Sequence, residues 1–143
     1  MINSRRQARE AALQALYQTD SLSEWNKEKL ELFFQNFYQL DPQKSQDNGN
    51  YLFSVFLAEG VIANQAELDT AIARASQNWT IERMSRIDRN ILRISTFELM
   101  HCKDTPPSVV INEAMEIAKI FSSEESLIFL NGVLDKVSKQ LGQ

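Results

Sequence analysis

The sequence is poor in the residues that break or cross-link a chain. Its 143 residues include one cysteine, three prolines and four glycines. The single Cys102 has no partner for an internal disulfide, which excludes a disulfide-stapled secreted domain and fits a reducing cytosol. Because breakers are few and apolar residues do not alternate convincingly with polar ones, we predict an all-α protein.

Long apolar runs and catalytic motifs are also missing. The longest apolar run, around residues 55–58, is far shorter than the roughly 20 residues that span a bilayer. Residues 1–10 lack the apolar stretch of a secretory signal, so we expect a cytoplasmic protein without membrane contact. The chain has no phosphate-binding glycine loop and no HExxH, and adjacent His101 and Cys102 imply no orienting acid. We therefore predict no catalysis and no metal or other cofactor.

Helical periodicity runs along most of the chain and indicates one domain, residues 1–143. We predict about seven helices in two packed sub-bundles. The box Ser4-x-x-Gln7 opens the first helix, and an aromatic stripe between Ser23 and Gln39 marks the second as a core element. Asn64 marks either a new N-cap or a bend. Residues 41–50 contain proline and glycine but no apolar residue, which is typical of a surface loop.

Residues 109–137 read as two helices joined by a polar corner. Ser122 and Ser123 offer N-cap oxygens for the second of these helices, and Glu124 and Glu125 fall in its first turn, where the macrodipole favours negative charge. Gly132 stands inside this second helix, where glycine costs about 1 kcal/mol relative to alanine. We therefore predict that another helix packs tightly against Gly132.

Charge is distributed unevenly along the chain. The formal net charge of −4 at pH 7 argues at first against nucleic acid. However, Arg5, Arg6 and Arg9 crowd the N-terminus, where we expect them on the exposed side of the first helix. Arginines in a first turn oppose the helix dipole, which favours a binding function over a stabilising one. A merely solvated basic end is the alternative.

Three stretches resemble the NusB family of bacterial transcription antitermination factors. They are SRRQAREAALQALYQ, then NWTIERMSRIDRNILRISTFELM, and finally INEAMEIAKIF followed by FLNGVLDKV. The resemblance implies a NusB-like helical fold and a non-enzymatic role in transcription. Such a protein, with the ribosomal protein NusE, binds boxA-type single-stranded RNA in ribosomal RNA leader transcripts. It thereby helps the RNA polymerase antitermination complex to resist termination.

The resemblance also implies two binding surfaces. The residues implied for RNA are Arg5, Arg6, Gln7, Arg9, Glu125, Ser126 and Phe129. The residues implied for NusE are Tyr17, Glu82 and Asp88. From the residues alone, acidic side chains suit a basic ribosomal protein, whereas a helix N-cap is the alternative role for Asp88. The family commonly has a lysine where this chain has Ile128, which removes one phosphate contact.

Two further alternatives concern the function as a whole. The first is a structural, self-associating helical protein with the same fold and little RNA binding. A homodimer that covers the RNA surface is a related possibility that the sequence does not decide. The second is the helical module of an RNA cytosine methyltransferase, which the chain also resembles. The absence of a cofactor-binding βαβ pattern disfavours that enzyme.

Overall fold

The computed structural model describes residues 2–38, 49–77 and 79–143, except for the side chains of residues 37 and 38. These ranges form seven α-helices and one short 3-10 turn, and they contain no strand. The helices are α1 (Arg5–Leu22), α2 (Lys27–Tyr38), α3 (Asn50–Ala63), α4 (Gln65–Ser76), α5 (Arg86–His101), α6 (Pro107–Phe121) and α7 (Glu124–Gln140), and the 3-10 turn is Ile81–Arg83. The predicted all-α fold of about seven helices is confirmed.

The chain divides into two compact units, Met1–Ala63 and Asn64–Gln143. The first unit contains α1 to α3, and the second contains α4 to α7. Asn64 separates α3 from α4, and its side chain makes no capping hydrogen bond. Of the two predicted roles of Asn64, the new N-cap is the observed one in position, since its carbonyl accepts the first helical hydrogen bond of α4, from the Leu68 N–H at 3.0 Å. That the two units belong to one domain stays a prediction.

The core of the first unit is built on the small residues of α1. The apolar part of its buried face consists of alanines and leucines, Ala8, Ala11, Ala12, Leu13, Ala15 and Leu16. These short side chains let α3 come close, and the buried Ser54 hydroxyl of α3 donates to the Ala8 carbonyl at 2.7 Å. Phe33 and Phe34 of α2 are buried and meet edge to face, as the predicted aromatic core stripe requires.

One predicted boundary in the first unit was wrong, that of the loop before α3. Helix α2 lies within the predicted span from Ser23 to Gln39, and Ser23, with a φ of 53°, is the left-handed C-cap of α1. Asn50 does not end a surface loop, because it is buried as the first residue of α3. The remaining loop residues 41–48, and the predicted end of the second helix at Gln39, lie outside the described residues.

Helix α5 is the central element of the second unit, and all of its residues from Asn90 to Leu99 are buried. Its Arg93 donates from Nε and Nη2 to the two carboxylate oxygens of Asp69 in α4, at 2.8 and 3.0 Å. A third donor, Nη1, reaches the side-chain oxygen of Asn90 at 3.1 Å. Because the guanidinium is buried, this bidentate pair fixes α4 against α5.

Gly132 overturns the predicted tight packing of a helix against it. A Cβ built on Gly132 meets no atom of the described residues within 4 Å, and the residue is exposed. The buried face of α7 is formed instead by Leu130, Val133, Leu134 and Val137. Within the described residues, no helix is both long enough and apolar enough to cross a membrane.

Candidate nucleic-acid and partner interface

The beginning of α1 carries the four predicted RNA-binding residues of the first unit. The Ser4 side chain accepts a hydrogen bond from the Gln7 N–H at 3.0 Å, so the predicted cap is confirmed. The Gln7 side-chain oxygen accepts in turn from the Asn3 N–H at 2.7 Å. Gln7 therefore stabilises the start of the helix, although its side chain remains exposed.

Arg5 and Arg9 have structural partners that the sequence did not predict. Arg5 donates from Nη1 to the Gly49 carbonyl and to the Asn50 side-chain oxygen, both at 3.1 Å. Its guanidinium carbon lies 4.4 Å from the centre of the Phe53 ring, and that of Arg9 lies 5.4 Å from the same centre. These contacts hold the start of α3 against α1 through hydrogen bonds and cation–π attraction.

The exposure of the three arginines differs accordingly. Arg5 and Arg6 are exposed, whereas Arg9 is only 7% exposed. The expectation that Arg9 lies on the solvent side of α1 was therefore wrong, because Phe53 attracts its guanidinium into the unit. A ligand at this end of α1 meets mainly the charges of Arg5 and Arg6.

Asp88 holds the corner between α6 and α7. Its carboxylate accepts hydrogen bonds from the hydroxyls of Ser122 and Ser126, and the residue is 8% exposed. The N-cap of α5 is Ser85, whose side chain accepts from the Asp88 N–H at 3.0 Å. Asp88 is therefore not the N-cap, and the alternative role considered for it was wrong.

Ser123 completes this network at the start of α7. It is the N-cap, since its side chain accepts from the Ser126 N–H at 3.2 Å. The Ser123 hydroxyl also donates to the Ser126 hydroxyl at 3.0 Å, and the Ser126 hydroxyl donates to the Asp88 carboxylate at 2.7 Å. This chain of polar contacts fixes the first turn of α7, where two of the predicted RNA-binding residues, Glu125 and Ser126, stand.

A cavity of about 250 Å³ opens beside this corner within the second unit. Its lining combines residues from the 3-10 turn, the start of α5 and the first turns of α7, namely Trp79, Arg83, Met84, Ser85, Asp88, Ser123, Glu125, Ser126 and Phe129. We call it the corner cavity. It brings together four residues predicted for the two surfaces, three for RNA and one for NusE.

Trp79 lines the corner cavity, as do Arg83, Met84 and Ser85, although none of these was predicted as a site residue. The Trp79 ring centre lies 6.1 Å from that of Phe129, and the two planes meet at 63°. Trp79 is 51% exposed, so one aromatic surface remains open to solvent. The sequence feature that could have indicated Trp79 is its position directly before Thr80, where the helical register breaks.

The residues predicted for NusE are distributed over both units. Tyr17, in α1 of the first unit, is 41% exposed. In the second unit Glu82 is exposed and lines a groove of about 440 Å³ together with Trp79 and Thr80. Asp88 is nearly buried, and its carboxylate already accepts hydrogen bonds from Ser122 and Ser126. Little of this carboxylate is therefore accessible to a partner. In the part of the chain that the structure describes, no three His, Cys, Asp or Glu side chains are grouped to hold a metal ion.

Comparisons with known proteins agree with this architecture. The family model described as the NusB family matches residues 6–139. The transcription antitermination protein NusB of Geotalea uraniireducens is 41% identical over 141 residues, which cover 98% of this chain and 97% of the relative.

Solved structures give the same result. The T. maritima NusB structure has a TM-score of 0.82 and 33% identity, covering 98% of this chain and 94% of its own. A structure of the antitermination factors NusB and NusE in complex with dsRNA has a TM-score of 0.80 and 26% identity, covering 98% of this chain and 99% of its own. From its sequence and fold together, this chain belongs to the NusB family of transcription antitermination factors, which are not enzymes.

Proposed function

We propose that this protein, together with the ribosomal protein NusE, binds boxA-type single-stranded RNA in ribosomal RNA leader transcripts. By doing so in the cytoplasm it helps RNA polymerase to resist termination. The observation that carries the proposal is the corner cavity, where an open aromatic pair stands beside fixed polar groups. The solved structure of NusB and NusE with dsRNA, to which this chain is similar, supports an assembly of this type.

The chemistry of the corner cavity suits an unpaired base. Proteins that bind single-stranded RNA stack bases on aromatic rings and read base edges with small polar groups. Trp79 and Phe129 supply the aromatic wall, and the Ser126 hydroxyl and the Glu125 carboxylate supply hydrogen-bonding groups. Because Ser126 is held by Asp88 and Ser123, its orientation is set before a ligand arrives.

Three cations are suitably exposed for phosphate contacts. They are Arg5 and Arg6 on α1 and Arg83 at the corner cavity. Neutralising three phosphates of a single strand gives a slope of log K against log[salt] of about −2, from about 0.7 per contact. Arg9 is not counted, because only 7% of this residue is exposed.

Tyr17 in the first unit and Glu82 in the second, both exposed, are each proposed as a NusE contact. An acidic side chain complements a basic ribosomal protein and accelerates the encounter. Once NusE is bound, both proteins present RNA-binding groups to one strand, so the second contact gains effective concentration. We therefore expect RNA to bind more tightly to the pair than to either protein alone.

Fluorescence anisotropy of a labelled boxA-type RNA tests this proposal. The RNA is titrated with this protein alone and with added NusE, at low and moderate salt. Arg6→Ala should weaken binding and lower the magnitude of the salt slope by about 0.7. Arg74→Ala is the matched control, because Arg74 is an exposed arginine outside the corner cavity.

Three results would contradict the proposal. A flat salt response, or an equal loss in both arginine variants, would remove the assigned phosphate contacts. No binding under any condition would instead favour the alternative function, a structural, self-associating protein. Sedimentation velocity would then detect its homodimer.

A further inference from the structure

A second groove, of about 590 Å³, adjoins the corner cavity within the second unit. Trp79 and Phe129 line both spaces, so the aromatic pair is their common border. The groove continues along the outer face of α7 past Gly132 to Lys136 and Lys139. We call it the α7 groove.

Gly132 leaves the helix backbone uncovered in this groove. A Cβ at this position would meet no atom within 4 Å, so packing among the described residues does not require glycine. Glycine is nevertheless less favourable than alanine inside a helix. A position without a side chain allows a ligand to approach the main chain closely.

The other groups of the α7 groove favour a nucleic-acid strand as that ligand. Trp79 is 51% exposed and presents a ring for stacking. Lys139 is 72% exposed, although it contacts Asp135 at 2.9 Å, and Lys136 forms no ion pair with any residue that the structure describes. In a chain with a net charge of −4, two lysines beside an open aromatic ring fit the pattern of single-strand binding.

We propose that the α7 groove is a second nucleotide site for the same RNA strand that enters the corner cavity. The strand crosses the Trp79–Phe129 pair with one base in the corner cavity. The sugar–phosphate backbone of the adjoining nucleotides then passes over Gly132, and the two lysines contact its phosphates. This inference rests on the proposed RNA binding and extends its path along α7.

The test uses the full-length protein with NusE and two labelled RNAs, a boxA-type segment and the same segment extended at both ends. The Lys136→Ala/Lys139→Ala variant should weaken the extended RNA and reduce the magnitude of its salt slope by about 1.4, from about 0.7 for each of two lost contacts. Lys119→Ala is the matched control for a single lysine. Lys119 is also exposed and also forms an intrahelical ion pair, with Glu116 at 2.8 Å, but it lines neither space.

Gly132→Ala separates a binding role from a structural one. The added methyl group should raise the melting temperature, because alanine favours the helix, and should weaken the extended RNA because it occupies the path. Gly132→Met should weaken the binding of the extended RNA further, because its longer side chain fills more of the path. A purely structural glycine would not produce higher stability together with weaker binding.

Three results overturn the inference in distinguishable ways. If the Gly132 and lysine variants bind both RNAs normally while Arg6→Ala still weakens them, the groove is not part of the path and the proposed function stands. If these variants instead weaken NusE binding alone, the groove holds a protein segment, which the 81% exposed Ile128 would contact. If the unmodified protein binds neither RNA, both the inference and the proposed function fail.

Discussion

Replacing Asp88 by alanine removes the carboxylate that holds the α6–α7 corner. Each of its two hydrogen bonds, from Ser122 and Ser126, joins a hydroxyl to a charged group, and such bonds contribute about 1.5–3 kcal/mol. Both serines are only partly buried and can bond to water in the variant, so the lower value applies to each. The carboxylate in the first turn of α5 adds about 0.3–1 kcal/mol. The free energy of unfolding should therefore fall by about 3–4 kcal/mol.

Urea unfolding followed by far-ultraviolet circular dichroism measures this loss. For a chain of this size the same change lowers the melting temperature by roughly 10 °C. A double-mutant cycle with Ser126→Ala should give a coupling energy of about 1 kcal/mol or more, because the two groups are in contact. Asp104→Ala is the control, since Asp104 is exposed in the loop after α5, and its effect should stay within about 0.5 kcal/mol.

Two results would refute the stabilising role of the Asp88 carboxylate. One is a loss of unfolding free energy below about 1 kcal/mol, and the other is strictly additive effects of the Asp88 and Ser126 changes. Either result would mean that the carboxylate does not stabilise the start of α7. Asp88 would then be available to a partner, as the family resemblance implied.

Three more changes test other parts of the structure. Gly132→Ala should raise the free energy of unfolding by about 1 kcal/mol, because its Cβ enters open space; a loss in urea unfolding would show that something covers this position. Arg93→Ala should lower the free energy of unfolding by about 3–5 kcal/mol, because the change leaves Asp69 without its buried partner. A loss under about 1 kcal/mol in urea unfolding would show that this ion pair does not stabilise the fold. Burial raises the pKa of the Tyr51 phenol above its usual 10.0. The folded protein then holds that proton more tightly than the unfolded chain does, and stability falls as the pH rises above 10.0. Tyr51→Phe should reduce this alkaline loss in unfolding measured from pH 7 to 11, and an unchanged pH profile would contradict the assignment.

The helices and the core could be predicted because they depend on periodicity along the chain. The alanine face of α1 recurs at helical spacing, as do Leu30, Phe33 and Phe34 of α2, and both sets are buried. The caps at Ser4 and Ser123 follow from a side-chain oxygen that reaches an N–H three residues later. Such local rules need no knowledge of the rest of the fold.

The wrong predictions concern residues of two kinds. Some have contact partners that are distant in sequence, and others lie on a side of their helix that residue spacing alone does not determine. Arg9 is buried because Phe53, on another helix, attracts its guanidinium, and no local pattern announces that contact. Gly132 was assigned to a helix crossing, yet it faces away from the buried side of α7.

The candidate site was predictable in part. Glu125, Ser126 and Phe129 do share one cavity, since all three lie in the first turns of α7. Trp79 joins them only through the fold, because the 3-10 turn brings it to Phe129. Which of these residues contact RNA stays a prediction.

The central claim is that this protein helps RNA polymerase to pass a terminator through RNA bound at the corner cavity. Transcription in vitro across a terminator, from templates with and without a boxA-type leader, tests it most directly. We expect read-through to rise only when the leader, NusE and this protein are all present, and to fall back when Trp79→Ala replaces the unmodified protein. Read-through that does not depend on this protein, or that is unaffected by the leader, would contradict the account.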